Sequence, residues 1–319
     1  MSWAQDRSEA LVAALGGVFD DQVVVAVAAV DRDGSAVARS SGCPAGARFE
    51  IGSVTKTMTA TLLASAVADG SVALEDPVGR WLDAGTNGDI SVGELATHTS
   101  GLPRLSPTHR RGVANPYRWF TEELAEQGLR QVRRTTRGRF VYSNFGYQLL
   151  GLVLERATDL SYAQLLSERL LGPLGMVDSG LGCRGGGVRL DGHANGRVVE
   201  HGDFVLPGPA GVETTIGDLA RYLRACLLPP ENRLGAAIRM TQQPRARKGP
   251  RHQIGLGWIV NESGVLGHDG GTRGFSAMVA VDLTRCRALG LLANTRQTAV
   301  AVLQNAARRA LRGDDLGRL

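Results

Sequence analysis

Both ends of the chain carry the pattern of β-strands. A continuous apolar run with many β-branched residues is typical of a strand that is covered on both faces. Apolar runs or period-two patterns of this kind occur at residues 23–30, 36–40, 256–261, 264–268, 275–282 and 287–293. Because these strands lie near both termini, we expect the two ends of the chain to build one sheet.

The rest of the chain is dominated by helical spacing of apolar residues. This spacing predicts helices at 8–18, 53–68, 91–97, 117–129, 145–157, 161–171, 215–228 and 298–312. We predict an α/β plus α architecture, in which an antiparallel sheet from both termini is flanked by helices and carries an inserted helical subdomain. The chain then forms a single domain over 1–319, with an α/β part at 1–75 and 251–319 and a mostly helical insertion at 76–250.

Composition excludes several classes of protein. The 319 residues are 43% apolar and 21% charged, close to the average for soluble globular proteins, which excludes a disordered or fibrous chain. No apolar run reaches the roughly eighteen residues of a membrane-spanning helix. The first residues lack the basic and apolar regions of a secretory signal, so we expect a cytoplasmic protein without a membrane partner.

The net charge is +5, but nucleic acid is not an expected partner. The basic runs at 130–139 and 244–251 are broken by Gly or Pro and lack interleaved aromatic residues, so they are interpreted as solvated loops. Cysteines at 43, 183, 226 and 286 show no metal-binding spacing and are interpreted as buried apolar residues.

Neither a metal nor a cofactor is expected. His193 and His201 lie in a polar loop without other ligands at a suitable spacing. A G-x-G-x-x-G match at 180–185 follows no strand, so a dinucleotide site is not predicted there.

Lysine is rare in this chain, which makes each lysine informative. Of the 36 basic residues, 34 are arginine, and only Lys56 and Lys248 are lysine. Arginine does not release its proton in proteins, whereas a buried lysine can. A lysine retained at a chemically suggestive position therefore points to chemistry that arginine cannot perform.

The sharpest chemical feature is Ser53-Val54-Thr55-Lys56, which opens the first long helix. Residues three apart share a helical face, so the Lys56 amine can reach the Ser53 hydroxyl. Serine needs an adjacent base to become a nucleophile. Lysine serves as that base once its pKa falls, and both burial and the positive end of a helix lower it. Backbone N–H groups at the helix start can in addition stabilise a developing oxyanion.

Two further motifs carry suitable polar groups. In Tyr142-Ser143-Asn144, a tyrosine whose pKa is lowered by a nearby ammonium can act as base and then as acid, and Asn144 can donate its amide to a substrate carbonyl. The second motif, LGHDGG at 266–271, lies between two strand patterns, and its glycines let a ligand approach the backbone. There the N–H of Gly271 can complete an oxyanion hole with that of Ser53.

Together these motifs resemble the serine β-lactamase and penicillin-binding superfamily, in particular its class C β-lactamase-like branch, which has Tyr-x-Asn as the middle motif. Further similar stretches are LEDPVGRWL (74–82), LATHTSGLPR (95–104), SYAQLLSERLLGPLGM (161–176) and AGVETTIGDLARYL (210–223). The resemblance implies a serine β-lactamase-like fold. It also implies Ser53 as the acylated nucleophile, Lys56 and Tyr142 as its general acid/base pair, and Asn144 as a substrate contact.

The third motif departs from the β-lactamase pattern. β-Lactamases have Lys-Thr-Gly there, and the lysine helps to hold the carboxylate of a penicillin-like substrate. Here the motif is His268-Asp269-Gly270, which is similar to the family's esterases, D-aminopeptidases and transacylases. An uncharged imidazole holds a carboxylate poorly. Arg273, five residues further on, is a candidate substrate contact that could replace the charge, the alternative being a solvated turn residue.

We therefore expect a serine acyl-enzyme catalyst that acts on a small-molecule ester or amide. The acyl group would pass from Ser53 to water, as in an esterase or amidase. It would otherwise pass to an amine or alcohol acceptor, as in a transacylase that tailors natural products. Alternatives are β-lactamase or D-Ala-D-Ala carboxypeptidase activity, and a non-catalytic penicillin sensor on the same fold.

Overall fold

The computed structural model describes residues 2–110, 112–113, 115–182, 187–202, 205–206, 208–296 and 299–317. Its helices are α1 (Trp3–Gly16), α2 (Thr55–Ala68), α3 (Val92–Ala96), α4 (Glu122–Gln131), α5 (Asn144–Thr158), α6 (Tyr162–Leu166), α7 (Ile216–Leu227), α8 (Arg233–Gln242) and α9 (Ala299–Arg312). Its strands are β1 (Val25–Asp31), β2 (Ser35–Arg39), β3 (Ala47–Glu50), β4 (Gly180–Leu181), β5 (Val188–Arg189), β6 (Gly192–Ala194), β7 (Arg197–Val199), β8 (Val212–Thr215), β9 (Ala246–Arg247), β10 (His252–Ile254), β11 (Ile259–Asn261), β12 (Leu266–Gly271), β13 (Ser276–Asp282) and β14 (Arg287–Ala293). Residues 183–185 of the G-x-G-x-x-G match lie outside the described residues.

The main sheet joins the two ends of the chain, as the sequence predicts. In the described residues it has eight strands in the order β2-β1-β14-β13-β12-β11-β10-β9, and its neighbours pair antiparallel. The N-terminal β1 lies beside the C-terminal β14, with Val25 opposite Ala293 and Asp31 opposite Arg287.

Strand β1 shows why the sheet needs helices on both faces. All of its residues are buried, and successive side chains of a strand point to opposite faces. Val25, Val27 and Ala29 belong to a smaller core with α1 and α9. The residues between them belong to the larger core, which includes residues of α2, α5 and α7. The continuous apolar run at 23–30 thus reflects two separate packing layers.

Helix α2 crosses the larger core. Almost all of its residues are buried, including the polar Thr55, Lys56 and Thr57, and it packs against α5 and α8. Burial on every side is unusual for a surface helix and fits a central element of the fold. The short segment Gly52–Val54, which carries Ser53 and leads into α2, lies beside strand β12.

A second, smaller sheet was not predicted from the sequence. In the described residues its order is β4-β8-β3-β5. Strand β3 was missed because its sequence, ARFE, carries two charged residues, yet all four residues are buried. The fold tolerates Arg48 there because its guanidinium pairs with Glu213 of β8. Helix α8 was also missed, whereas helix 117–129 begins only at Glu122, where Thr121 caps it.

None of the helices in the described part of the chain is both long and apolar enough to cross a membrane.

Candidate active site

Ser53 lies in a tight turn between β3 and α2. The turn is a single 3-10 segment, Gly52–Val54, and Gly52 has φ +49°, a left-handed conformation that favours glycine. A Cβ on Gly52 would lie 2.7 Å from the nitrogen of Gly271, and one on Gly270 would lie 1.9 Å from the carbonyl oxygen of Ile51. The glycines therefore allow β12 to lie directly against the backbone that carries Ser53.

The Lys56 amine is positioned as the sequence predicts. It is fully buried, and Nζ donates to Ser53 Oγ over 2.8 Å and to the carbonyl oxygen of Pro209 over 2.8 Å. Burial lowers the pKa of Lys56 well below its ordinary value, and the Arg104 guanidinium lowers it further. The resting amine is thus shifted towards the uncharged form, which can accept the proton of Ser53.

Tyr142 lies close to the Ser53–Lys56 pair. Lys56 Nζ, which donates to Ser53 Oγ, lies 5.0 Å from the centroid of the Tyr142 ring. The pKa of Tyr142 is raised well above its usual value, first of all by burial. The expectation of a tyrosine with a lowered pKa is therefore wrong, because loss of solvation outweighs the neighbouring positive charge. Tyr142 rests as a neutral phenol, which can donate a proton.

The backbone of Gly271 lies close to the turn that carries Ser53. Gly271 ends β12, and its nitrogen lies within van der Waals reach of Gly52, the residue before Ser53. Because the turn and the strand end are in contact, the N–H groups of Ser53 and Gly271 belong to the same small region. Their joint role as an oxyanion hole stays a prediction.

His268 faces the same region but carries no charge that could anchor an anion. Its side chain is 4% exposed, its ring centroid lies 6.3 Å from that of Tyr142, and Nδ1 is hydrogen-bonded to the carbonyl oxygen of Asp269 over 2.7 Å. Burial lowers the pKa of His268 to about 4, although the Asp269 carboxylate acts in the opposite direction. His268 is therefore uncharged at neutral pH.

The two other predicted substrate contacts have partners within the protein. Asn144 begins α5, and its Nδ2 donates to the Tyr117 hydroxyl over 2.6 Å, whereas its Oδ1 is buried without a hydrogen-bond partner among the described residues. A buried amide oxygen of this kind is available to a substrate N–H. Arg273 Nη1 lies 3.6 Å from a carboxylate oxygen of Glu200, whose side chain is exposed, a surface pair of small energetic value.

Comparison with known proteins identifies the family. A profile of the Beta-lactamase family matches residues 6–314 of this chain. The chain belongs to the beta-lactamase family.

Relatives within this family have several activities in their names. The chain is 26% identical to Penicillin-binding protein 4* of Bacillus subtilis (strain 168) over 281 residues, which cover 78% of this chain and 61% of that protein. It is 30% identical to D-alanyl-D-alanine-carboxypeptidase/endopeptidase AmpH of Escherichia coli (strain K12) over 263 residues, which cover 72% of this chain and 66% of the relative. The chain thus spans slightly less than two thirds of the length of both relatives.

Solved structures agree on the fold. A class C beta-lactamase superposes with a TM-score of 0.81 at 20% identity and covers 96% of both chains. A point mutant of a class C beta-lactamase gives 0.82 at 20% identity over 97% of both chains. The predicted serine β-lactamase-like fold is therefore confirmed.

Two residues that lie close to Tyr142 were not singled out from the sequence. His98 has φ +58°, its Nδ1 accepts the N–H of Ser143 over 3.1 Å, and its ring packs 4.5 Å from that of Tyr142. The Arg104 guanidinium lies 5.3 Å from the centroid of the Tyr142 ring. Both belong to the LATHTSGLPR stretch that carried part of the resemblance, so that stretch was the available signal.

His201 has neighbours that the sequence did not reveal. One donor atom each of Glu50, His201 and Glu213 lie within 4.8 Å of one another, so the interpretation that His201 lacks potential co-ligands is wrong. Its Nδ1 is 2.8 Å from Glu50, while Arg48 and Arg189 both pair with Glu213. Because two guanidiniums already balance the carboxylates, we expect an ion-pair network here rather than a metal site.

Proposed function

We propose that the protein is a serine acyl-enzyme catalyst that acts on a small-molecule ester or amide. The observation that carries the proposal is the buried Lys56 amine, 2.8 Å from Ser53 Oγ and with a lowered pKa. An amine of this kind serves as a general base, and it has little value for stability because burying it costs solvation energy. The relatives named above, a carboxypeptidase and a penicillin-binding protein, support chemistry at an acyl carbon.

The first half of the reaction forms the acyl-enzyme. The uncharged Lys56 amine takes the proton of Ser53 as Oγ attacks the substrate carbonyl carbon. The resulting oxyanion accepts hydrogen bonds from the backbone N–H groups of Ser53 and Gly271. When the tetrahedral intermediate collapses, the bond to the leaving group breaks and Tyr142 gives its proton to the departing oxygen or nitrogen. Tyr142 recovers a proton from the Lys56 ammonium.

The second half releases the acyl group. Water, or an amine or alcohol acceptor, attacks the Ser53 ester and gives up a proton through the Tyr142 hydroxyl to Lys56. Ser53 Oγ then leaves with a proton returned from Lys56, which restores the resting state. Hydrolysis and transfer to an acceptor use the same groups and differ only in the second nucleophile.

A cytoplasmic location belongs to this proposal. Among the described residues, Cys43, Cys226 and Cys286 are free thiols. Free thiols are typical of a reducing compartment, whereas structural disulfides are typical of secreted proteins. An intracellular small-molecule ester or amide then fits better than a cell-wall polymer.

Intact-mass spectrometry tests the proposal. The protein is mixed with p-nitrophenyl butyrate, with and without an amine acceptor, and compared with Ser53→Ala and the control Ser65→Ala on α2. We expect an acyl adduct in the wild type and in Ser65→Ala, and none in Ser53→Ala. A butyramide product that forms at the expense of butyrate would assign the transferase, and butyrate alone the hydrolase. A stable adduct without turnover would instead support the sensor.

A further inference from the structure

His98 follows helix α3 in a backbone conformation that glycine usually provides. The helix ends at Ala96, Thr97 is its C-cap, and His98 comes next with φ +58°. A left-handed residue directly after the C-cap is most often glycine, because other side chains are strained there. At the corresponding position after α2 the chain has Gly70, with φ +79°. A histidine retained at such a position indicates that its side chain has a role of its own.

The His98 side chain is buried among aromatic rings. It is 1% exposed, and its ring packs at 4.5 Å from that of Tyr142 and at 5.0 Å from that of Tyr147. Phe140 packs against it edge-on at 5.6 Å. Burial lowers the pKa of His98 well below its ordinary value of 6.5, so the ring is uncharged at neutral pH. An uncharged imidazole has one ring nitrogen that accepts a hydrogen bond.

His98 is hydrogen-bonded to both neighbours of Tyr142 in the chain. Its carbonyl oxygen accepts the N–H of Val141 over 2.8 Å, and its Nδ1 accepts the N–H of Ser143 over 3.1 Å. Between these two hydrogen bonds, its ring lies against the Tyr142 ring with a tilt of 34°. The residues 141–143 belong to no helix or strand, so these contacts with a tightly packed residue set the direction in which the Tyr142 side chain leaves the backbone.

We propose that His98 is a positioning residue, which holds the Tyr142 phenol in the orientation from which it protonates the leaving group. The inference rests on the proposed function, in which Tyr142 gives its proton to the departing oxygen or nitrogen. Such a transfer needs the donor within hydrogen-bond distance of the leaving atom, and a displacement of about 1 Å can cost about a hundredfold in rate. His98 acts through Tyr142 and not on the substrate.

Two butyrate esters with different leaving groups test the inference. Phenol is a weaker acid than 4-nitrophenol, so the departing oxygen of phenyl butyrate depends more on a proton donor than that of p-nitrophenyl butyrate. The measured quantity is the ratio of kcat/KM for phenyl butyrate to kcat/KM for p-nitrophenyl butyrate. A loss of folded protein lowers both values equally and leaves this ratio unchanged.

We expect His98→Gly to lower the ratio by about tenfold or more, because general acid catalysis supplies about 10²–10⁴-fold and part of it is lost. Glycine retains the left-handed conformation but removes the ring and the acceptor. His98→Asn should retain more of the ratio, since asparagine also adopts this conformation and its Oδ1 can accept the N–H of Ser143. A ratio in His98→Asn as low as in His98→Gly would overturn the role given to the hydrogen bond.

The control is His109→Asn, which removes another buried imidazole. The His109 ring stacks on Phe120 at 3.8 Å and packs edge-on against Tyr117 at 5.5 Å, so its loss should leave the ratio as in the wild type. Tyr142→Phe is the reference, because it removes the proton donor altogether. An unchanged ratio in His98→Gly, or an equal fall in His109→Asn, overturns this inference alone. An unchanged ratio in Tyr142→Phe would overturn the proposed role of Tyr142 as well.

Discussion

Gly52 and Gly271 are in direct backbone contact at the base of the turn that carries Ser53. A Cβ on Gly52 would lie 2.7 Å from the nitrogen and 2.9 Å from the carbonyl oxygen of Gly271. The contact joins the turn that carries Ser53 to the end of β12. It therefore fixes the distance between the two N–H groups predicted to hold the oxyanion.

Replacing Gly52 with alanine should lower kcat strongly, while the free energy of unfolding falls only modestly. The variant carries the cost of a left-handed alanine, about 1–2 kcal/mol, and also forces β12 away from the turn. We expect kcat to fall by about a hundredfold or more, the range for loss of one oxyanion donor. Gly70→Ala is the matched control, since Gly70 has φ +79° but open space around its Cβ position. Steady-state kinetics and urea unfolding of both variants separate the effect of backbone strain from the effect of moving β12 away from the Ser53 turn. Equal losses of kcat in the two variants would contradict the role of the contact.

Lys56→Arg should lower kcat/KM on p-nitrophenyl butyrate by at least about a hundredfold. The substitution keeps a positive charge, but a guanidinium does not supply an uncharged base, and general-base catalysis is worth about 10²–10⁴-fold. Circular dichroism of the variant checks that the fold is retained. Near-normal activity would mean that Tyr142 acts without Lys56, and the assignment of the two roles would be wrong.

The lowered pKa of Lys56 also predicts how stability depends on pH. Between this lowered pKa and the ordinary value of 10.5, the unfolded chain binds a proton at Lys56 that the native chain has lost. Stability then rises with pH in that window, by at most about 1.4 kcal/mol per pH unit. Lys56→Met lacks this titration. The wild type should therefore gain stability relative to Lys56→Met as the pH rises towards 10.5 in urea unfolding, and parallel curves would show that native Lys56 is charged.

Short-acyl esters should be turned over at least about ten times faster than nitrocefin or benzylpenicillin, by kcat/KM. His268 stands where β-lactamases carry a lysine, and burial keeps it uncharged. Parallel assays on p-nitrophenyl butyrate and nitrocefin decide the point. Equal rates would identify a β-lactamase and remove His268 as the discriminating residue.

The spacing of apolar residues predicted those helices and strands whose burial pattern is visible within their own sequence. The strands at both termini and the long helix after Ser53 agree with the structure, because period-two and helical patterns record burial directly. Strand β3 was missed because its buried Arg48 and Glu50 look like surface residues in the sequence. Their burial depends on partners more than a hundred residues away, Glu213 and His201.

The sequence by itself determined the pairing of Ser53 with Lys56 and, through resemblance, the set of motifs that carries Tyr142 and His268. A serine and a lysine three residues apart at a helix start share one helical face. Only the tertiary structure decided the resting protonation states of Lys56, Tyr142 and His268. Their pKa values are shifted mainly by burial, and the segments that bury them are distant in the sequence.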